Sequence, residues 1–240
     1  MGIEEFIEAS NSAASVDELF GLYKKAMGDL GFDRLIFSLM TDHLAIQRRA
    51  GHGLMLNYPD DWMKFYMDKK LEVLDPVRHK LYIAPGVFTW DSLNDHSTLT
   101  KTQSDCLSMG DEAGLHDGIG IPLRGPRGAI AGIGAASSAG GVQPDRNVLS
   151  RAQLLSQQFY TAFLCLEQKP EEMPFVRLSD REQEVLKWCA AGKTRPDIAE
   201  IMVLSEDTIR FHMKNILRKL DASNVTLAVL KALHMGLIQL

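Results

Sequence analysis

Residues 178–224 read LSDREQEVLKWCAAGKTRPDIAEIMVLSEDTIRFHMKNILRKLDASN and contain the start signals of successive short helices. Ser179 and Glu182 have the spacing of a capping box, in which each side chain satisfies a free backbone N–H of the first turn. Thr194 and Ser205 are further N-cap residues, each followed by apolar positions at helical spacing. With one more helix after this stretch, the end of the chain predicts a four-helix, all-α domain.

The third of these helices carries a basic stripe. Arg210, Lys214 and Arg218 recur every four residues and share one helix face. Two helices joined by a tight turn, at about 194–213, with a basic face on the second, form a helix-turn-helix that fits the major groove of DNA. A solvated basic face on a small helical domain is the alternative. In the turn, the β-branched side chain of Val203 argues against a positive φ.

The charge is distributed unevenly along the 240 residues. The whole chain has 26 Lys+Arg and 31 Asp+Glu, a net charge of −5, which as a single number argues against nucleic acid. Residues 177–240 hold 10 basic and 8 acidic side chains, a surplus of +2, and the preceding residues hold 16 and 23, a net −7. Because the surplus is small, DNA binding must depend on local placement of charge.

Composition also indicates the cellular compartment and whether the protein holds a metal or a cofactor. The three cysteines have no CxxC spacing, which favours neither a disulfide framework nor a zinc site, and we expect no metal and no cofactor. The start MGIEEFIEAS lacks the basic residues of a signal peptide. No apolar run approaches the length of a membrane span. We therefore expect a cytoplasmic protein without a membrane partner.

The residues before the helical tail predict a second domain. KPEEMP at 169–174 has two prolines and little to bury, as is typical of a linker. We predict a front domain at 1–168, a linker at 169–176 and a DNA-binding domain at 177–240. Helices before and after an antiparallel sheet indicate an α/β/α sandwich and an α+β chain overall. The predicted elements are two helices within 4–30, strands at 34–39, 44–50, 119–123 and 129–136, and a helix at 145–168.

The tail resembles the DNA-binding domain of LuxR-type transcription factors over its whole length. Asp197 stands where that family has glutamate, a change that keeps the carboxylate. By this resemblance Arg210 and Lys214 read bases, and Lys193 and Thr194 bind phosphate. The full set of residues that the resemblance implies for DNA binding is Lys193, Thr194, Thr208, Arg210, Lys214, Asn215 and Arg218.

The front domain resembles the acyl-homoserine-lactone-binding domain of the same regulators. The resemblance rests on the joint order and spacing of several aromatic residues and one aspartate. Taken singly, the aromatics could be ordinary core residues, and an aspartate before proline is more often a turn residue. The matching positions are Asn57, Tyr58, Trp62, Tyr66, Asp75, Pro76, Trp90 and Gly118.

The resemblance implies a role for each side chain. The Trp62 indole N–H donates to the lactone carbonyl, Asp75 accepts from the ligand amide, and Tyr58 donates to the acyl carbonyl. Indole is a donor only and an ionised carboxylate an acceptor only, which suits these roles. Tyr66 and Trp90 form walls around the ligand.

The hairpin strand at 129–136 departs from some relatives, which carry a hydroxyl residue facing the acyl carbonyl. This chain has Gly132 and Gly134 there, followed by alanines. Because small residues leave volume, we hypothesise a pocket open to a long or bulky acyl group, with one polar contact fewer to a 3-position substituent. Gly134 is counted among the ligand-binding residues.

Together these features predict a ligand-responsive transcriptional regulator that binds double-stranded DNA at an inverted repeat as a homodimer. A receptor for a non-lactone molecule, or one acting without ligand, is the alternative. A lactone hydrolase would need a GxSxG elbow or a His-rich metal motif, and neither occurs. A phospho-acceptor receiver domain would need an acidic pair after the first strand, where the chain reads FSLM.

Overall fold

The computed structural model describes residues 1–93, 99–168 and 176–239. It divides into two compact units, Met1–Pro170 and Glu171–Leu240. All but the last residue of the predicted linker, 169–176, lie outside the described residues, so its bounds stay a prediction. Within the described ranges, no helix has both the length and the apolar character needed to cross a bilayer.

The first unit contains a five-stranded antiparallel sheet with helices on both faces, which confirms the predicted α/β/α sandwich. The strand order is β2-β1-β5-β4-β3. The strands are β1 Arg34–Leu39, β2 Gly51–Leu56, β3 Phe88–Thr89, β4 His116–Arg124 and β5 Ile130–Ser137. The helices are α1 Ile3–Ser12, α2 Val16–Gly28, α3 Asp60–Asp68, α4 Pro76–Ile83, α5 Lys101–Glu112 and α6 Arg146–Glu167.

The alternation of side chains along the strands separates two environments. On β1, Leu35 and Phe37 point into the main core, where they pack with α1, α2 and α6. Ile36 and Ser38 point to the opposite face, where the aromatic residues of α3 also lie. The central strands thus contribute one wall to the core and another to a cavity under α3, α4 and α5.

The prediction of a strand at 44–50 is wrong. Leu44–Ile46 is a 3-10 turn, and the second strand begins only at Gly51. The turn closes on itself, because the His43 N–H donates to the Arg48 carbonyl at 2.7 Å and Arg48 donates back at 3.1 Å. Gln47 has a φ of 54°, which breaks the extended backbone. Local hydrogen bonds therefore override the β propensity of this run.

The second unit has four helices: α7 Asp180–Ala190, α8 Arg195–Met202, α9 Glu206–Lys219 and α10 Val225–His234. Their N-caps are Ser179, Thr194 and Ser205, as predicted, and Asn224. Buried side chains from all four helices form one core, which includes Val185, Ile198, Ile209, Ile216 and Ala228. The predicted helical tail is confirmed in its helices and its caps.

The prediction for the turn at Val203 is wrong. Val203 lies in the left-handed region, with φ 54° and ψ 49°. The Leu204 N–H donates to the Ala199 carbonyl at 2.9 Å, and the Val203 N–H donates to the Glu200 carbonyl at 3.2 Å. These are the bonds of a Schellman motif, which satisfies the last carbonyls of α8 and requires a positive φ. Hydrogen bonding thus outweighs the steric preference of the β-branched side chain.

We expect Val203→Gly to stabilise the second unit. Releasing the left-handed strain gains about 1–2 kcal/mol, and the added chain entropy of glycine costs about 1 kcal/mol, leaving a small net gain. The Val203 side chain is 90% exposed, so little packing is lost. Amide hydrogen exchange in α8 and α9 measures the change. Val203→Ala, which retains Cβ, is the matched control, and an equal effect of both substitutions would contradict the left-handed turn.

Candidate functional site

A cavity lies between the sheet and helices α3, α4 and α5 of the first unit. Its volume is about 60 Å³, counted as the space open to the centre of a water molecule. All six residues predicted to bind ligand lie in its wall, which the structure therefore brings together from five separate elements and loops. They are Tyr58, Trp62, Tyr66, Asp75, Trp90 and Gly134.

Asp75 is held rigidly at the start of α4. Its Oδ1 accepts from the N–H groups of Val77 at 2.8 Å and Arg78 at 3.3 Å, and its Oδ2 accepts from the Tyr66 hydroxyl at 2.8 Å. Burial raises the pKa of the Asp75 carboxyl, although these hydrogen bonds oppose the shift. Each carboxylate oxygen can accept two hydrogen bonds, so Oδ2 retains one acceptor position for a ligand N–H.

Two polar atoms in the cavity wall are buried without a hydrogen-bond partner among the described residues: the Tyr58 hydroxyl and the Trp90 indole nitrogen. Both are donors, and leaving a buried donor unsatisfied costs about 1–3 kcal/mol. Burial also raises the pKa of the Tyr58 hydroxyl, with the charge of Asp75 adding to the shift, so the group stays protonated. A ligand with two or more oxygen acceptors would give both donors a hydrogen-bond partner.

The aromatic side chains pack around the remaining space. Trp62 and Tyr66, which are 9% and 4% exposed, meet edge to face with ring centroids 5.8 Å apart. Gly118 allows Trp90 its position, because a Cβ there would lie 2.0 Å from the indole ring. The glycine at this motif position is thus explained by close approach.

The volume next to the hairpin glycines is already filled. A Cβ at Gly132 would lie 2.6 Å from Leu81 Cδ1, and one at Gly134 would lie 2.8 Å from the Tyr58 hydroxyl. The premise that these small residues leave the pocket open is wrong, because side chains from outside the hairpin occupy the space. A preference for a long or bulky acyl group therefore loses its structural basis.

Sequence reasoning missed four polar or thiol-bearing residues of the cavity wall: Ser38, His52, Arg78 and Cys106. The sequence contained a signal for two of them. Ser38 alternates with the core residues of β1, and Arg78 lies one helical turn after Asp75, so both could have been placed on the cavity side. His52 lies on β2, the strand whose start was misassigned. Burial raises the pKa of the Cys106 thiol to about 12, so it remains a neutral, unreactive group at neutral pH.

The second unit presents the predicted DNA-binding residues on one helix-turn-helix. Lys193, Arg210, Lys214 and Arg218 are exposed, as a phosphate- or base-contacting side chain must be. Arg210 is the fifth residue of α9, close to the helix N-terminus that reaches base edges in such motifs.

Several of the predicted residues also have structural roles. The Thr194 hydroxyl donates to Asp197 at 2.7 Å in the capping box of α8, and Thr208 pairs with Ser205 at 2.8 Å. Arg210 contacts Asp207 at 3.0 Å, with both side chains more than half exposed. Such an exposed pair contributes little and can be exchanged for a contact to DNA.

Comparison with known families identifies both units. Residues 15–163 match the autoinducer-binding domain, and residues 176–232 match the luxR family of bacterial regulatory proteins. The chain belongs to the LuxR-type transcriptional regulators. The family consists of transcription regulators with these two domains rather than enzymes.

Individual relatives of this LuxR-type regulator support the assignment. It is 34% identical over 185 residues to the quorum sensing-dependent regulator RpaR of Rhodopseudomonas palustris, covering 76% of this chain and 74% of RpaR. It is 30% identical over 224 residues to the quorum-sensing regulator RhlR of Pseudomonas aeruginosa, covering 92% and 89%. Escherichia coli SdiA in complex with octanoyl-rac-glycerol has a similar fold, with a TM-score of 0.63, 25% identity and coverage of 98% and 94%.

Proposed function

We propose that this LuxR-type regulator binds an N-acyl homoserine lactone and, as a cytoplasmic homodimer, controls transcription from an inverted-repeat site. The observation that carries the ligand assignment is the arrangement of unsatisfied groups in one cavity. Tyr58 and Trp90 present buried donors that have no partner in the described part of the chain, and Asp75 presents an acceptor beside Tyr66. A molecule with one amide N–H and several carbonyl oxygens fits this set.

Ligand binding is coupled to the output through the stability of the first unit. About 60 Å³ of the cavity is open to the centre of a water molecule, and a single water needs roughly 10–15 Å³ of such space, so the cavity has room for several waters that a ligand would displace. A ligand that binds only the folded state stabilises the first unit and shifts the population toward DNA-competent dimers.

The proposal is tested by measuring DNA affinity of the full chain with and without ligand. An inverted-repeat site is first selected from random-sequence DNA by the protein itself, and acyl-homoserine lactones from short to long chain are then titrated at fixed salt. We expect a saturable change in DNA affinity for at least one lactone. Octanoyl-glycerol serves as the comparison, since SdiA has been crystallised with it. A response to the glycerol ester alone would favour the non-lactone alternative.

Arg210→Ala should weaken binding to the selected site by about 1–3 kcal/mol if the guanidinium reads a base, with a smaller loss on unrelated DNA. The matched control is Arg181→Ala, because Arg181 is also exposed and held in an i,i+3 ion pair, with Glu184 at 2.9 Å. Quantitative gel shifts at one salt concentration measure both variants. Unchanged affinity for Arg210→Ala at the selected site would remove Arg210 from that role.

A further inference from the structure

Three polar side chains form a connected cluster in the cavity wall, apart from the residues that the family resemblance assigns. Arg78 Nη1 lies 3.0 Å from His52 Nδ1, and the Ser38 hydroxyl lies 3.2 Å from the same nitrogen. The Gly53 N–H donates to the Ser38 oxygen at 3.0 Å. The cluster joins β1, β2 and α4, so its geometry is fixed by three separate elements.

The histidine of the cluster is neutral at neutral pH. Burial, together with the charge of Arg78, lowers the pKa of His52 to about 4. Its ring stacks on Tyr66, with centroids 4.9 Å apart and planes at 15°. A neutral imidazole whose Nδ1 faces two donors is an acceptor at that atom, so His52 holds the guanidinium in place without neutralising it.

Arg78 therefore has an incomplete set of partners. Within the described residues it forms no ion pair with a carboxylate, and its one side-chain hydrogen bond goes to His52. Asp75, one turn earlier, uses its oxygens for Tyr66 and for backbone N–H groups. A guanidinium has five N–H donors and no acceptor. Arg78 is half-buried in the cavity wall, so its remaining donors are available to water or to the oxygen acceptors of a ligand.

Tyr66 connects the cluster to the residues assigned to the ligand head. Trp62, which would bind the lactone carbonyl, contacts Tyr66, and Tyr66 in turn stacks on His52. Asp75, which would bind the amide, accepts from the hydroxyl of the same Tyr66. With its lactone at Trp62 and its amide at Asp75, a ligand would extend its acyl chain toward the part of the wall formed by His52 and Arg78.

We propose that Arg78, positioned by His52, binds an oxygen acceptor carried on the acyl chain beyond the acyl carbonyl. This proposal rests on the proposed lactone function and names the chemical class of acyl group: one with a keto, hydroxyl or carboxylate oxygen rather than a plain alkyl chain. It differs from the prediction of one polar contact fewer to a 3-position substituent. In this proposal, polar groups on β1, β2 and α4 take the place of the hydroxyl that β5 lacks before Ser137.

The test compares pairs of acyl-homoserine lactones matched in chain length, one with an additional oxygen on the chain and one without. Calorimetric titration of the full chain should show roughly 10- to 100-fold tighter binding of the preferred oxygenated compound, as for a hydrogen bond to a charged group. Arg78→Met should abolish this preference, so that the two compounds of a pair bind with equal affinity. Lys64→Met, an exposed position on α3, makes the same charge change away from the cavity and should retain the preference.

Two further variants separate binding from structure. His52→Leu should reduce the preference, and His52→Asn, which restores an acceptor near Nδ1, should recover part of it. Arg78→Gln keeps a donor if Arg78→Met does not fold. Equal affinity of wild type for every matched pair, or equal loss of both compounds in Arg78→Met, would overturn the proposal while leaving lactone binding intact. Binding of neither compound by wild type would overturn the lactone function itself.

Discussion

Replacing Glu182 by alanine is expected to destabilise the DNA-binding unit strongly. The Glu182 residue is 4% exposed. Its Oε2 accepts from the Ser179 N–H at 2.7 Å and from Lys219 Nζ at 2.6 Å. The carboxylate thus caps α7 and ties it to the end of α9. Breaking a buried ion pair costs about 3–5 kcal/mol, and we expect about 3 kcal/mol because the Lys219 side chain is 34% exposed.

The effect is large relative to the size of the unit. A domain of this length has a total free energy of unfolding of roughly 3–10 kcal/mol. Hydrogen exchange in α7 and α9 of the full chain reports the loss. Glu184→Ala, in an exposed ion pair with Arg181 on the same helix, is the control and should cost no more than ~0.5 kcal/mol. A similar small cost for Glu182→Ala would show that the buried pair contributes little.

The same pair predicts a pH dependence. Burial tends to raise the pKa of Glu182, but hydrogen bonds from Lys219 and Ser179 outweigh it and hold the pKa below its usual value of 4.5. A lowered folded-state pKa stabilises the fold at neutral pH, and this contribution is lost as pH falls through the folded-state value. The DNA-binding unit of Glu182→Ala should therefore lose less stability on acidification than that of the wild type.

Asp75→Asn is expected to weaken lactone binding by at least about 2 kcal/mol while preserving α4. Asparagine is as good an N-cap as aspartate, so its Oδ1 can still accept from the N–H groups of Val77 and Arg78. Its amide nitrogen then replaces Oδ2 beside Tyr66. Two donors, the asparagine N–H and the ligand amide N–H, would face each other where an acceptor is required.

Titration of the full chain with its preferred lactone measures the loss, and the unfolding temperature without ligand checks that the cap is retained. Asp68→Asn, an exposed carboxylate in α3, matches the charge change and should bind as the wild type does. Full affinity in Asp75→Asn would show that the carboxylate does not accept from the ligand. A large fall in unfolding temperature would instead assign Asp75 a structural role.

The helical tail was predictable because its determinants are local. Ser179, Thr194 and Ser205 cap helices by accepting hydrogen bonds from the backbone N–H three positions later. This short spacing can be recognised in the sequence. The wrong prediction at Val203 also concerned a local interaction. Side-chain sterics argued against a left-handed residue there, but two backbone hydrogen bonds to Ala199 and Glu200 decided the conformation.

Only some properties of the pocket could be predicted from the sequence. The family resemblance of Tyr58, Trp62 and Asp75 predicted that these residues share one site, and the structure brings them together. Whether a glycine opens that site could not be read from the chain, because Leu81 fills the space beside Gly132 from another element.

By itself the sequence determined the helices and caps of the tail, the sandwich architecture of the front unit and the family to which the chain belongs. The helices, strands and caps depend on periodicity and on contacts between near neighbours in the chain, and the family depends on the resemblance of its motifs. Only the tertiary structure decided the volume of the cavity and the presence of Arg78, His52 and Ser38 in its wall. Such properties depend on which side chains from distant elements meet across the sheet. The number of residues between two positions in the sequence does not tell how close they lie in the folded protein.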